Sequence, residues 1–244
     1  MFRRGTRLFR RVIWPWGVLL GMGAFLMVAV FLSANGVDTT VTDQDREIIA
    51  KLGVDDSCGQ IDDHGDEMEC ISQVQAAIYE RYPSTRDAFV KGVTDHRVAD
   101  YDARGYGSCY DRATFIEQAL RHYGFDVRRV AIFKSQSSPL NYLKPGIRSH
   151  ALSEVKTSKG WMVVESIDPL LGVDRRGRIY TMGDIRQGLR EGSIDDDTFG
   201  LAIPEDFFDG EFVYVYGLHS RHGYFFEPHL PVPEIDWAHF GFGR

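Results

Sequence analysis

Residues 107–124 read GSCYDRATFIEQALRHYG, and the architecture can be worked out from this segment. Ser108 and Asp111 form an S-x-x-D pattern, which is typical of a helix-capping residue and the third residue inside the helix. Gly124 follows as a C-terminal stop. Between these signals one stripe recurs every three or four positions, at Cys109, Ala113, Ile116, Leu120 and Tyr123. The segment therefore predicts a helix whose first residue is Cys109.

A cysteine at the start of a helix is a candidate nucleophile. The free backbone N–H groups and the positive end of the helix dipole favour a thiolate over a thiol there. The same N–H groups could bind the oxyanion that develops during acyl transfer. Asp111 is explained by capping alone, so we assign it no catalytic role.

The hairpin that follows predicts a base and an orienting acid. Strands are predicted over Ser149–Lys156 and Trp161–Ile167, joined by a three-residue loop that ends at Gly160. In that register, facing residues have numbers that sum to 318, so His150 lies opposite Asp168 with Cβ atoms about 5 Å apart. A slip of one residue would put the two side chains on opposite faces.

The remaining elements follow from periodicity and from helix-breaking residues. The acidic run from Asp55 to Glu69 does not match an EF-hand loop and is interpreted as solvated. Helices are predicted at Thr42–Leu52, Met68–Tyr82, Ser84–Val93 and Asp184–Glu191, and further strands at Val127–Phe133 and Glu211–Leu218.

The N-terminus has the composition of a membrane anchor. Five arginines and no acidic residue precede an apolar run from Val12 to Leu32, whereas the net charge of −7 leaves −7 − 5 = −12 for the rest of the chain. An apolar run of about 20 residues matches the bilayer core, and the arginines keep the N-terminus in the cytoplasm. We expect a signal anchor over 12–34 with the following domain outside the cytoplasm. A signal peptide cleaved near Ser33-Ala34-Asn35 is the alternative, and the arginines disfavour a buried core helix.

The three cysteines are an odd number, so in an oxidising compartment one must be left over. Cys58 and Cys70 are twelve residues apart and are the reasonable pair, which would leave Cys109 free. The alternative is that all three are reduced.

The order of these motifs resembles the transglutaminase-like superfamily. Its members carry G-x-C before a helix, then H-A-x-x-E-V, then a Trp-containing strand that ends in Asp-Pro. The matching segments here are 107–109, 150–155 and 160–169, with separations of 150 − 109 = 41 and 168 − 150 = 18. The resemblance covers about residues 66 to 180. It implies an α+β, papain-like fold with the nucleophile helix packed on an antiparallel sheet, and an aromatic oxyanion residue that could be Tyr101 or Tyr106.

The expected domain organisation combines the anchor with this resemblance. A cytoplasmic basic N-terminus covers 1–11, the transmembrane anchor 12–34, a linker and acidic loop 35–65, the transglutaminase-like domain 66–224, and a tail rich in proline and aromatic residues 225–244. The tail is expected either to lie against the domain or to bind a partner.

The expected function is that of a membrane-anchored cysteine enzyme with Cys109, His150 and Asp168 as its triad. It would act by acyl transfer on amide bonds of a protein or peptide substrate, as a hydrolytic protease or amidase rather than a cross-linking protein-glutamine acyltransferase. Each residue alone has a plain structural explanation, so a catalytically silent, membrane-tethered scaffold is the alternative. A third alternative is an NlpC-type cell-wall peptidase. Such an enzyme would be expected to carry Asp-Cys-Ser, where this sequence has Ser-Cys-Tyr, and a third polar residue that is usually His, so this alternative ranks lower. The inner membrane is the expected partner; no cofactor, metal or nucleic acid is predicted.

Overall fold

The computed structural model describes residues 18–30, 36–83, 97–134, 149–169, 171–195, 198, 212–219 and 234–242. The chain divides into two compact units, residues 1–36 and residues 37–244. In the first unit, residues 18–30 form helix α1. Within the described ranges, no helix is both long enough and apolar enough to cross a bilayer. The predicted anchor at 12–34 extends beyond those ranges on both sides.

The second unit contains six helices among its described residues. They are α2 (Asp43–Ala50), α3 (Asp55–Cys58), α4 (His64–Arg81), α5 (Val98–Arg104), α6 (Cys109–His122) and α7 (Met182–Glu191). Four of them, α2, α4, α6 and α7, begin at a capping box, in which the side chain of the capping residue accepts a backbone N–H and an aspartate three residues later accepts the N–H of the capping residue.

Four of these helices match predictions, and the acidic run does not. The helix predicted at Met68 begins earlier, because Asp63 accepts hydrogen bonds from the N–H groups of Gly65 and Asp66. Part of the acidic run is therefore a helix cap rather than the expected solvated loop. Helix α3 within that run was not predicted, and neither was α5. The helix predicted at Ser84–Val93 lies outside the described residues.

The strands of this unit are β1 (Asp126–Lys134), β2 (Ser149–Thr157), β3 (Gly160–Val164), β4 (Phe212–Tyr216), β5 (Leu218–His219), β6 (Glu234–Ile235) and β7 (Gly241–Phe242). Among the described residues, five of them form a central antiparallel sheet in the order β3-β2-β1-β4-β7, and β5 pairs with β6 in a two-stranded sheet. The predicted combination of helices with an antiparallel sheet is confirmed.

Helices pack on both faces of the sheet. On one face, α4 and α6 share a core with Val127, Val155 and Met162 of the first three strands. On the other face, Met182 and Ile185 of α7 belong to the second core cluster, with β1 and β2 side chains. Helix α6 thus lies on the antiparallel sheet, as predicted for the nucleophile helix.

Two further predictions concern the pairing of the cysteines and the position of the C-terminal tail. Cys58 and Cys70 form a disulfide that joins α3 to α4, and Cys109 is a free, buried thiol, so the predicted pairing is confirmed. The described part of the tail lies against the domain: β7 pairs with β4, and the N–H of Val37 donates to the carbonyl of Ile235 at 3.1 Å.

Candidate active site

The start of α6 is held by a buried capping network. The carboxylate of Asp111 accepts hydrogen bonds from the backbone N–H of Ser108 at 2.8 Å and from its hydroxyl at 3.0 Å. Arg104 donates to the other oxygen of Asp111 at 2.8 Å. Asp111 is 3% exposed, and its predicted capping contact is confirmed. These contacts fix Cys109 as the first residue of the helix.

Gly107 is required by the close approach of a neighbouring ring. A Cβ at this position would lie 2.2 Å from Cε2 of Tyr101 and 2.7 Å from Cβ of Asp111. No rotation of a side chain at 107 relieves a clash of its own Cβ. The glycine of the G-x-C motif thus lets the chain enter α6 against Tyr101.

The thiol of Cys109 is buried but is biased toward its charged form. Burial alone raises the pKa of Cys109. The hydrogen bond and positive charge of His150, together with the backbone N–H of Ala151, outweigh burial and hold the pKa of Cys109 below its ordinary value. The predicted nucleophile and base are therefore brought together.

The carboxylate that contacts the imidazole of His150 is that of Glu165. Nε2 of His150 lies 2.6 Å from Oε1 of Glu165, and both side chains are buried. Burial alone lowers the pKa of His150, but the charge of Glu165 and the hydrogen bonds with Cys109 and Glu165 raise it well above its ordinary value. Burial raises the pKa of Glu165, and this is outweighed by the charge of His150 and by hydrogen bonds, so the pKa is lowered. The site thus favours thiolate, imidazolium and carboxylate together.

Oε1 of Glu165 also accepts two backbone hydrogen bonds. The N–H of Ser166 donates at 2.6 Å and the N–H of Ile167 at 2.9 Å. A carboxylate that accepts several N–H groups stays ionised at low pH. Glu165 is therefore suited to hold one imidazole nitrogen in a fixed orientation.

Asp168, the acid expected from sequence, lies close by but in a different environment. Its side chain is only partly buried, and burial together with the charge of Glu165 raises the pKa of Asp168, partly offset by His150 and Arg112. Its backbone carbonyl accepts the hydroxyl of Tyr79. The structure places Glu165, and not Asp168, on Nε2 of His150.

The predicted hairpin register is wrong by one residue. Ser153 faces Val164 and Thr157 faces Gly160, so facing residues sum to 317 rather than 318. The connection is a two-residue turn at Ser158-Lys159, not a three-residue loop, and β3 ends at Val164. By that sum His150 would correspond to position 167, beyond the end of β3, and the pairing that suggested Asp168 does not form. A two-residue turn at Ser158-Lys159 was the alternative reading of the sequence. It would have removed the predicted pairing of His150 with Asp168.

Helices α4 and α6 support the segment that carries Glu165. The amide of Gln75 donates to the Glu165 carbonyl at 2.8 Å, and the Tyr79 hydroxyl, whose one proton is shared with the carbonyl of Asp168, lies 2.8 Å from the same oxygen. Arg112 donates to the carbonyls of Ser166 at 3.4 Å and of Ile167 at 3.2 Å. The acid is thus positioned from two helices as well as from its own strand.

Comparison with known proteins finds a limited structural similarity to two solved structures. No family model and no curated protein matches the sequence. A candidate cysteine protease from Cytophaga hutchinsonii superimposes with a TM-score of 0.37 at 15% identity, over 57% of this chain and 42% of that one. A TGase superimposes with a TM-score of 0.34 at 15% identity, over 58% of this chain and 37% of that one. The chain therefore spans less than half the length of either structure, and likenesses of this extent do not identify its function.

Three other residues that the family resemblance singled out are Glu154, Tyr101 and Tyr106. Glu154 of the H-A-x-x-E-V motif accepts Nη2 of Arg128 at 2.6 Å and the N–H of Met182 at 2.7 Å, so it joins β1 and β2 to the start of α7. Tyr101 is buried and its ring packs against those of Tyr82 and Phe115, whereas Tyr106 is 39% exposed. Tyr101 therefore lies in the core beside α6, whereas the side chain of Tyr106 reaches solvent.

Proposed function

We propose that this chain is a membrane-anchored cysteine enzyme of the transglutaminase-like type that hydrolyses amide bonds of protein or peptide substrates. Cys109 is the nucleophile, His150 the base and acid, and Glu165 the residue that orients His150. The single observation that carries the proposal is the buried Cys109–His150–Glu165 arrangement, in which each partner favours the charged form of the next. The motif order along the sequence supports the same superfamily.

The proposed reaction is a two-step acyl transfer. The Cys109 thiolate attacks the amide carbonyl, the C–S bond forms, and the developing oxyanion is met by N–H groups at the α6 N-terminus. The C–N bond then breaks as the His150 imidazolium gives its proton to the leaving amine. In the second step His150 takes a proton from water, and the resulting hydroxide attacks the thioester carbonyl. The C–S bond then breaks, which releases the carboxylic acid product and restores the Cys109 thiolate. Hydrolysis needs only water as its second reactant, whereas cross-linking needs a site for a second substrate. We therefore favour hydrolysis.

The membrane part of the proposal rests on the N-terminal composition. The five arginines before the apolar run favour a cytoplasmic N-terminus. The catalytic unit, residues 37–244, would then act on the periplasmic side of a bacterial inner membrane.

The burial of the site favours a second candidate, a catalytically silent scaffold. Cys109 is 5% exposed and His150 is 3% exposed, so a substrate carbonyl needs a change of conformation to reach the sulfur. A scaffold that had kept the fold and the residues without turnover would show the same burial.

Alkylation of the full-length, detergent-solubilised protein separates the two. Iodoacetamide is applied across acid and alkaline pH, and modification of Cys109 is read by mass spectrometry in the wild type and in His150→Ala, with His122→Ala on the same helix as control. The enzyme proposal expects fast modification near neutral pH that His150→Ala removes and His122→Ala leaves intact, together with hydrolysis of labelled casein that Cys109→Ala abolishes. An inert Cys109 and no hydrolysis would support the scaffold instead.

A further inference from the structure

Arg112 is a buried cation that binds backbone carbonyls. It lies three residues after Cys109 on α6 and is 4% exposed. Its Nε and Nη2 donate to the carbonyl of Tyr82 at 3.0 and 2.7 Å, just after the end of α4. Its Nη1 donates to the carbonyls of Ser166 and Ile167. The guanidinium also stacks over the ring of Tyr79, 4.6 Å from the centroid. One side chain therefore ties three chain segments together.

The Ser166–Ile167 peptide unit connects this cation to the proposed triad. Its carbonyl oxygen accepts Nη1 of Arg112, while its N–H donates to Oε1 of Glu165. The positive guanidinium sits at the negative end of the peptide dipole, and the negative carboxylate sits at the positive end. Each bond in such a chain polarises the next and strengthens it. The peptide plane is therefore held in the orientation that presents its N–H to Glu165.

These contacts close a ring of interactions. Cys109 and Arg112 are one turn apart on α6, Arg112 binds the Ser166–Ile167 peptide, and that peptide binds Glu165. Glu165 in turn binds His150, whose charge lowers the pKa of Cys109. A displacement of Glu165 from His150 must therefore also break contacts at Arg112.

We propose that Arg112 is a positioning residue for the proposed triad, because it fixes the peptide that aligns Glu165 with His150. This inference rests on the function proposed above. Arg112 itself does not touch the substrate in this proposal; it acts through Glu165. A purely structural Arg112, which only fastened α6 to the end of α4 through Tyr82, would affect stability and leave the chemistry of Cys109 unchanged.

The test combines thiol reactivity with a double-mutant cycle. The pH midpoint of Cys109 alkylation is measured in the full-length protein for Arg112→Gln, Glu165→Gln and the double variant, alongside the thermal unfolding midpoint. Arg128→Gln is the control, since it removes a guanidinium from the buried carboxylate of Glu154 without touching the Glu165 segment. Arg112→Lys is included in case Arg112→Gln does not fold, because a single ammonium cannot reach the carbonyls on both sides.

We expect Arg112→Gln to move the alkylation midpoint to higher pH by about one unit, about tenfold in thiolate fraction at a fixed pH below the midpoint. The double variant should move it no further than Glu165→Gln alone, because both act through one contact. Arg112→Lys should shift the midpoint in the same direction, and Arg128→Gln should lower thermal stability only.

The inference is overturned if Arg112→Gln, or Arg112→Lys where the former does not fold, lowers thermal stability without moving the midpoint. Additive shifts in the double variant would overturn it as well. A wild-type Cys109 with the reactivity of an ordinary thiol would instead overturn the proposed function, and the two failures are therefore distinguishable.

Discussion

Replacing Glu165 by glutamine removes one charge from a buried site while keeping the shape of the side chain. In the wild type, Oε1 of Glu165 takes hydrogen bonds from Nε2 of His150 and from the N–H groups of Ser166 and Ile167. A hydrogen bond to a charged group contributes about 1.5–3 kcal/mol, and one pKa unit corresponds to about 1.4 kcal/mol. The pKa of His150 should therefore fall by about 1–2 units.

The sign of the effect on Cys109 follows from two opposing contributions. The negative charge of Glu165 by itself raises the pKa of Cys109, so its removal favours the thiolate directly. The interactions with His150 have the larger effect on Cys109, and they need an imidazolium, which is present only below the pKa of His150. In Glu165→Gln the pKa of His150, about 10 in the wild type, should fall to about 8–9, so the imidazolium is lost at a lower pH than in the wild type and burial then favours the thiol. We expect alkylation of Cys109 at about pH 9 to slow about tenfold, which corresponds to about 1.4 kcal/mol.

The assay is the pH profile of Cys109 alkylation in Glu165→Gln, with Asp168→Asn as the matched variant. Asp168 is only partly buried and lies beside the same histidine, so its neutralisation should change the profile less. An unchanged profile in Glu165→Gln with a marked shift in Asp168→Asn would refute the assignment of Glu165 and restore the acid expected from sequence.

Three further outcomes are expected. Replacing Cys58 and Cys70 by alanine should lower the free energy of unfolding by about 3 kcal/mol in chemical denaturation, because the bridge closes a short loop; an unchanged value would contradict the disulfide. Gly107→Ala should cost about 1–3 kcal/mol and slow Cys109 alkylation, because its Cβ has no space against Tyr101, whereas Gly241→Ala, which has no atom within 4 Å of its Cβ, should do neither. The anchor at 12–34 should resist carbonate extraction and leave the following domain open to external protease in spheroplasts; a soluble periplasmic product would instead indicate a cleaved signal peptide.

The sequence predicts well what depends on neighbouring residues. Helix α6 was predicted with Cys109 as its first residue because capping and periodicity act within a few positions, and the strands of the hairpin were predicted for the same reason. The register was not, since the turn allows two or three residues. A distant contact accompanies the observed turn: Glu67 of α4 accepts the N–H of Ser158 at 2.8 Å. Such a contact across ninety-one positions leaves no local pattern.

The support of the candidate acid could not be predicted for a related reason. Glu165 follows a buried strand and has no distinguishing neighbour in sequence, whereas Asp168 precedes a proline and fits a motif. The assignment of Glu165 as the acid depends on where Gln75, Tyr79 and Arg112 hold the backbone after β3. These contacts link residues of α4 and α6 to a loop far along the chain, and only the three-dimensional arrangement shows them.

The pairing of β7 with β4 affects how the protein can be handled. Val215 faces Phe242 and Tyr216 faces Gly241, so the C-terminal segment covers hydrogen-bonding groups of a strand that reads FVYVY. A recombinant version cut at residue 224 would leave that uncharged, β-prone strand as an open sheet edge, which is a template for pairing between molecules. We therefore expect the tail to keep this strand from pairing with a second molecule, and soluble expression to depend on residues 225–244.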